Sequence, residues 1–227
     1  GSRDIYEGMM QQGGMIQAET TEEMLDFSDA LVKMPIPDSR KVGILSWGGG
    51  WGVVEADQCE HDGLEVAPLP DELRQEIGKI LPSYWSKGNP VDLVVTVDLS
   101  VHTRCLELLA ASPAFDSLIS LGTINASSAF WKMSGEGSGV DEETVKMRRW
   151  YLKEMGAKFA QRIIELIQEY DKPIITVGMP QRESDMTEMA DFPQDNLCIY
   201  TNPERAARVA AMLAERGEDL RSRGVGW

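Results

Sequence analysis

The chain has 227 residues, 42% of them hydrophobic and 26% charged, with a formal net charge of −15. That length supports one large α/β domain or two small ones, and a surface this acidic argues against a nucleic-acid partner, because it repels a polyanion. No apolar run approaches the roughly 18 residues needed to span a bilayer, and no signal peptide is visible. Cys59, Cys105 and Cys198 are odd in number, far apart and free of Cys-x-x-Cys spacing, so buried reduced thiols and a cytoplasmic setting are expected.

Taken in order, Ile5, Tyr6, Met9 and Met10 mark one face of a short helix that stops at Gly13-Gly14. Met15 to Glu19 alternates weakly and reads as a short strand. Thr20 and Glu23 form a capping box ahead of an amphipathic helix using Met24, Leu25, Phe27, Leu31 and Val32. Residues 1–34 thus read as a helical extension, 35–40 as a proline-containing linker and 41–227 as the main domain.

The domain opens with a short apolar run, Val42 to Trp47, followed by Gly48, Gly49, Gly50 and Gly52, broken only by Trp51. From Val53 a helical pattern begins and ends at Gly63. Strand, glycine turn and helix is an arrangement suited to phosphate. Glycine allows close approach of an oxyanion, and the first helical N–H groups have no intrahelical partner. No Gly-Lys-Ser/Thr follows and no Gly-x-Gly-x-x-Gly is present, so an anion site and a tight structural turn both stay open.

Strand and helix patterns then alternate. Leu64–Leu69 reads as a strand, and Pro70-Asp71 opens a helix. Val91–Val97 is a β-branched strand, followed by a helix carrying Val101, Cys105, Leu106, Leu108 and Leu109. Leu118–Gly122 is a strand, residues 123–140 are a polar excursion, and a long helix runs from about Glu142 to Tyr170. Ile174–Val177 is a strand, Glu183–Ala190 a short helix and Leu197–Tyr200 the last strand. A closing helix starts at Thr201-Asn202-Pro203-Glu204, with proline at its first position and Glu three after Thr. This alternation predicts a flavodoxin-like, doubly wound parallel sheet with an N-terminal helical extension. Its ligands belong at the carboxyl ends of the strands, which gathers the Gly48 turn, the Gly88-Asn89-Pro90 loop and Gly122 along one edge.

Three blocks, IYEGMMQQGGMIQAETTEEMLDF, KVGILSWGGGWGVVEADQCEHDGLE and ILPSYWSKGNPVDL, resemble in order and spacing the NDP-forming acyl-CoA synthetases, a succinyl-CoA-synthetase-like superfamily that includes ADP-forming acetyl-CoA synthetase. The match is to the third flavodoxin-like module of the α side. It is poor from Gly122 to Gly139 and returns at KPIITVG and YTNPERAARVAAMLAER. The resemblance implies a reversible ligase that interconverts acid, CoA and ATP with acyl-CoA, ADP and phosphate through a phosphohistidine on a mobile loop. It implies that Gly48, Gly49, Gly50 and Gly52, with the amides of Val53 and Val54, cradle the phosphoryl group, and that Asn89 and Asp92 form a possible second loop. In the family the phosphorylated histidine lies in a His-Thr-Gly stretch, which is not in this chain, so no catalytic residue is expected here. The resemblance implies that CoA-binding, histidine-loop and ATP-grasp modules are the partners. ATP/ADP, CoA and Mg are then handled by the complete enzyme, with none bound tightly by this chain.

His61 and His102 read as a helix-tail residue and a surface residue. Glu55 and Asp57 read as solvated or helix-terminal carboxylates rather than metal ligands. Trp47 and Trp51, where the family more often has a small polar residue and proline, either cover the sheet end or join Tyr84, Trp85 and the Phe130, Trp131, Met133 segment in an exposed apolar contact patch. Two other readings stay open: a regulatory synthetase-like module of a protein lysine acetyltransferase, and an unrelated flavodoxin-like small-molecule binding domain.

Overall fold

The computed structural model of the protein describes residues 2–124, 141–178 and 196–225. The expected helix at 183–190 and the Phe130, Trp131 and Met133 segment lie outside the described residues. In chain order the elements are α1 (Arg3–Gln12), α2 (Thr21–Lys33), β1 (Lys41–Ser46), α3 (Gly49–His61), β2 (Glu65–Val66), α4 (Asp71–Gly78) and β3 (Val91–Asp92). They continue with α5 (Leu99–Ala111), β4 (Ser117–Leu121), α6 (Glu142–Tyr170), β5 (Ile174–Val177), β6 (Cys198–Tyr200) and α7 (Pro203–Ser222).

Every strand pair is parallel, in the order β2-β1-β4-β5-β6, with β3 also on β1. β4 covers one edge of β1 along its length, so β2 and β3 share the other edge, β2 opposite Lys41 and Val42, β3 opposite Leu45 and Ser46. The Asn89 side chain fills the gap between them. Its Nδ2 donates to the carbonyls of Val42 and Ala67, both at 2.8 Å, and its Oδ1 accepts the Ile44 amide at 2.9 Å. Setting the two-residue β3 aside, the order is that of the flavodoxin-like sheet, and chain direction switches between β1 and β4.

Right-handed crossovers on either side of that switch put helices on both faces. α3 packs on α7, and α5 on α6. β1, β4 and β5 bury near-continuous apolar runs, including Ile44, Leu45, Leu118, Ile119, Ile174 and Ile175, as strands covered on both faces must. The three thiols are buried and free.

Several expectations are corrected. Met15–Glu19 forms no strand; the chain leaves α1 through Gly14 at φ 68° and runs on without a strand partner. The expected strand Val91–Val97 stops after two residues, because Oδ1 of Asp92 takes the Val94 amide at 2.8 Å and Val94 and Val95 turn into the left-handed region at φ 54° and 57°. α7 opens with Pro203 at its first position as expected, and Asn202 caps it, its Oδ1 accepting the Arg205 amide at 3.0 Å. Thr20 caps α2, accepting the Glu23 amide at 3.1 Å, while the Glu23 carboxylate reaches one residue further back and takes the Glu19 amide at 2.6 Å. That helix buries Asp26, Phe27 and Ala30, however, and leaves Met24, Leu25 and Val32 exposed. Its rotation follows Arg205 of α7, which holds Asp26 through two bonds of 2.8 and 2.6 Å.

Candidate functional site at the start of α3

β1 delivers the chain to the carboxyl edge of the sheet. There Ser46 Oγ donates to the Gly48 carbonyl at 2.7 Å and the Trp47 amide donates to the Leu121 carbonyl at 3.0 Å. Gly48 is extended and serves as the N-cap, with no side chain capping the helix. Only Gly48 therefore belongs to the turn; Gly49, Gly50 and Gly52 are already helical. The first ladder bond is Gly52 N–H to the Gly48 carbonyl at 3.2 Å. The donors ahead of the ladder are the amides of Gly49, Gly50 and Trp51. Val53 and Val54, named from sequence, sit inside the helix with exposed side chains. The shift arises because the helix begins about one turn earlier than its apolar pattern.

Two of these glycines lack room for a side chain. A Cβ on Gly49 would lie 2.8 Å from Oδ2 of Asp92, and one on Gly52 would lie 3.0 Å from Cβ of Pro90 and 3.2 Å from Cβ of Ser46. Gly50 faces open space, with nothing within 4 Å of its Cβ position. Gly52 thus lets α3 close onto the Pro90 loop, and Gly50 leaves the mouth uncovered.

Of the second-loop residues, Asn89 spends both ends of its amide on the sheet, and Asp92 brings a carboxylate to the helix start. Gly122, at φ 67°, ends β4 nearby and donates to the Val177 carbonyl at 2.8 Å. Residues 93–96 lie over the turn: the amides of Leu93 and Val95 donate to the carbonyls of Ser46 and Trp47, both at 2.8 Å. The exposed aromatic patch does not form from Trp47 and Trp85, which are 8% and 4% exposed; Trp51 is half-buried on the core and Tyr84 alone of the four is exposed. Trp47 is drawn inward by the Thr96 carbonyl, which accepts its indole N–H at 2.7 Å.

His102 is also not a surface residue. It has no exposed area, and its Nε2 meets the same Thr96 carbonyl at 2.8 Å. Burial lowers its pKa from the ordinary histidine value. Glu55 is likewise buried, not solvated. Desolvation pushes its pKa up to about 8, and the Cys59 thiol donates to its Oε1 at 3.6 Å. Desolvation also raises the Cys59 pKa, so the thiol is unreactive. Among the described residues no group of three or more His, Cys, Asp or Glu is placed to hold a metal, and no helix is long and apolar enough to cross a membrane.

Sequence reasoning missed the Trp51 amide and the His102–Thr96–Trp47 cluster. The Asp92 turn had a signal, an Asp two residues before a non-ladder amide; the cluster had none, since its acceptor is a main-chain carbonyl.

Chemically, three amides without a partner among the described residues, at a positive helix end, can hold an oxyanion, with the Asp92 carboxylate beside them. Residues 42–128 match the Ligase-CoA domain family. Over 97% of its length the chain is 34% identical to the acetate–CoA ligase [ADP-forming] II subunit alpha of Pyrococcus furiosus, and over 98% it is 25% identical to the 4-hydroxybutyrate–CoA ligase [ADP-forming] of Nitrosopumilus maritimus. It spans 43% and 28% of those two relatives. The fold superposes with a TM-score of 0.72 on PH0766 from Pyrococcus horikoshii, at 26% identity, covering 97% of this chain and 45% of that one. It does so equally, at 22% identity, on the dinucleotide forming acetyl-coenzyme A synthetase 1 of Ca. Korarchaeum cryptofilum, covering 100% of this chain and 44% of the other. By matched domain, relatives and fold, the chain is similar to the α-side Ligase-CoA module of the NDP-forming acyl-CoA synthetases.

Proposed function

We propose that this chain works as one module of an ADP-forming acyl-CoA synthetase, which interconverts acyl-CoA, ADP and phosphate with acid, CoA and ATP. In this reading the start of α3 holds a phosphoryl group in transit on a histidine supplied by another segment. The observation that carries it is the uncapped run of amides at Gly49, Gly50 and Trp51, set at the carboxyl edge of the sheet beside the switch point. Phosphoryl transfer needs fixed charge stabilisation rather than a reactive side chain, and a helix end supplies about 0.3–2 kcal/mol toward an anion. The names of the relatives support the ADP-forming reaction. Residues 41–227 are the working domain, 35–40 its linker and 1–34 its extension. The CoA-binding, histidine-loop and ATP-grasp modules are its partners, and ATP, CoA and Mg are handled by the assembled enzyme.

The test uses the chain assembled with those modules and incubated with ATP, or with acyl-CoA and phosphate. An acid-labile label on histidine is expected. Gly50→Asp places a second negative charge at the amides without a steric clash, and labelling should fall at least tenfold, about 1.4 kcal/mol; neutral Gly50→Asn should retain it. An unlabelled wild-type assembly removes the synthetase reading, and equal labelling of the two variants removes the site.

A further inference from the structure

One carbonyl at the carboxyl edge collects two ring donors. Thr96 O lies 2.7 Å from Nε1 of Trp47 and 2.8 Å from Nε2 of His102. A carbonyl has no proton to give, so His102 carries its hydrogen on Nε2. The ring is packed edge-on against Phe159 of α6, centroids 6.3 Å apart at 79°. Its Nδ1 is buried beside the Thr123 main chain without a hydrogen bond. Burial outweighs the Thr96 and Thr123 main chain and Asp98, which favour the charged ring, and lowers the His102 pKa, so the ring is neutral at pH 7.

These contacts hold down a stretch of backbone that is strained. Val94 and Val95 are β-branched and both left-handed, at φ 54° and 57°. Such a conformation is unfavourable for a β-branched residue and persists only where its surroundings over-determine it. On the amide side the stretch is tied to Ser46, Trp47 and Asp92. On the carbonyl side it is tied by the Trp47 and His102 rings. So held, Cγ2 of Val95 lies 3.9 Å from the Cβ position of Gly48, and Oδ2 of Asp92 lies 2.8 Å from that of Gly49.

We propose that His102 is a positioning residue for the phosphoryl site: its Nε2–H, given to Thr96, clasps residues 93–96 onto the Gly48 turn and so sets where Asp92 stands relative to the open amides of α3. Its functional half rests on the phosphoryl reading above; its structural half rests on the contacts alone. A histidine that merely filled the core would be replaceable by any side chain of similar volume. A clasp requires the donor.

The test compares His102→Leu, which keeps volume and loses the donor, with His102→Gln, whose amide reaches a similar distance and donates. In the 227-residue chain, the Trp47 indole N–H resonance (assigned with Trp47→Phe) and hydrogen exchange of the Leu93 and Val95 amides are followed, with Ile119 in β4 as the internal reference. In His102→Leu the indole resonance should move and Val95 exchange should accelerate at least tenfold relative to Ile119, the signature of local opening; His102→Gln should restore both. An unmoved resonance with unchanged exchange overturns the clasp, as does loosening of Ile119 in step with Val95. In the assembled synthetase, histidine labelling should fall on the order of tenfold to hundredfold in His102→Leu and recover in His102→Gln. Full labelling of His102→Leu overturns the positioning role while leaving the phosphoryl reading intact. An unlabelled wild type overturns both, and so marks the failure of the earlier reading.

Discussion

Glu55 is where the stability of this module is set against pH. Its carboxyl is buried in α3, one oxygen taking the Cys59 thiol hydrogen and the other without a partner. Desolvation raises its pKa from 4.5 to about 8, the Cys59 bond lowers it in part, and Glu204 of α7 and Asp62 add to the rise. Because the folded pKa exceeds the unfolded one, the native state holds a proton that the unfolded chain releases. The stability linked to this group is therefore complete below pH 4.5, declines as pH rises, and levels off once pH passes 8. The span is 8 − 4.5 = 3.5 pH units, and at 1.36 kcal/mol per unit it amounts to about 5 kcal/mol, which water entry and relaxation reduce to about 2–5. Against a total of about 5–15 kcal/mol for a domain, that is decisive.

Glu55→Gln keeps the shape and removes the titration. The added amide donor has no partner either, which lowers stability by about 1 kcal/mol at every pH, so the informative quantity is the slope. Urea unfolding of both proteins from pH 5 to 9 should show the wild type losing stability with pH relative to the variant, the difference growing to pH 8 and then flattening. Two curves that stay parallel across that range would mean that Glu55 is ionised throughout, and the reasoning from its burial would be wrong.

Four further substitutions test the packing. Gly52→Ala, whose Cβ would press on Pro90 and Ser46, should cost about 1–3 kcal/mol in a urea melt, whereas Gly50→Ala, facing open space, should be neutral or stabilising by up to about 1 kcal/mol; equal effects would contradict the crowding at Gly52. Asn89→Ala strands the Ile44 amide and the Val42 and Ala67 carbonyls, and a loss of about 2–5 kcal/mol is expected by thermal unfolding. Asp26→Ala removes the carboxylate that fixes α2 on Arg205 and should cost about 2–3 kcal/mol, with exchange protection lost first in α2; a loss spread evenly over the sheet would refute that order.

Several local devices were legible in the sequence. The Thr20–Glu23 box, the proline opening α7 and the left-handed Gly63 after α3 mark helix ends, and unbroken apolar runs such as Ile174–Val177 mark doubly covered parallel strands. The failures share a cause, which is competition from partners distant in sequence or from a side chain acting against the local pattern. Val91–Val97 has strand composition, yet the Asp92 carboxylate removes the Val94 amide from any ladder. The apolar pattern of α2 suggested a face that Arg205, 179 residues from Asp26, rotates away. His102 reads as a surface residue in the sequence and Trp47 is left between covering the sheet end and joining an exposed patch, because the Thr96 carbonyl that draws both inward leaves no trace in composition. At the glycine turn the place was legible and the donors were not, since four glycines do not say which of them is already helical.

The Asp92 carboxylate decides what the start of α3 can hold. An anion at the open amides gains about 0.3–2 kcal/mol from the helix end. A second negative charge about 4 Å away costs about 4 kcal/mol at an effective dielectric near 20. The repulsion outweighs the attraction, so a bare phosphate dianion gains nothing from this site while the Asp92 carboxylate is in place. A group that brings a proton or a cation toward Oδ2 escapes the penalty, because its oxygens meet the amides and its positive end meets the carboxylate. Under the proposed phosphoryl role, such a site would pass the group along without trapping free phosphate, which suits a step that runs in both directions. Asp92→Asn keeps the acceptor for the Val94 amide and removes the charge. Phosphate affinity of the chain, read by ³¹P NMR titration, should then rise at least tenfold, with the rise fading in high salt. An affinity that does not change on loss of this charge would mean that the carboxylate does not face the anion, and that the amides of α3 are not where it sits.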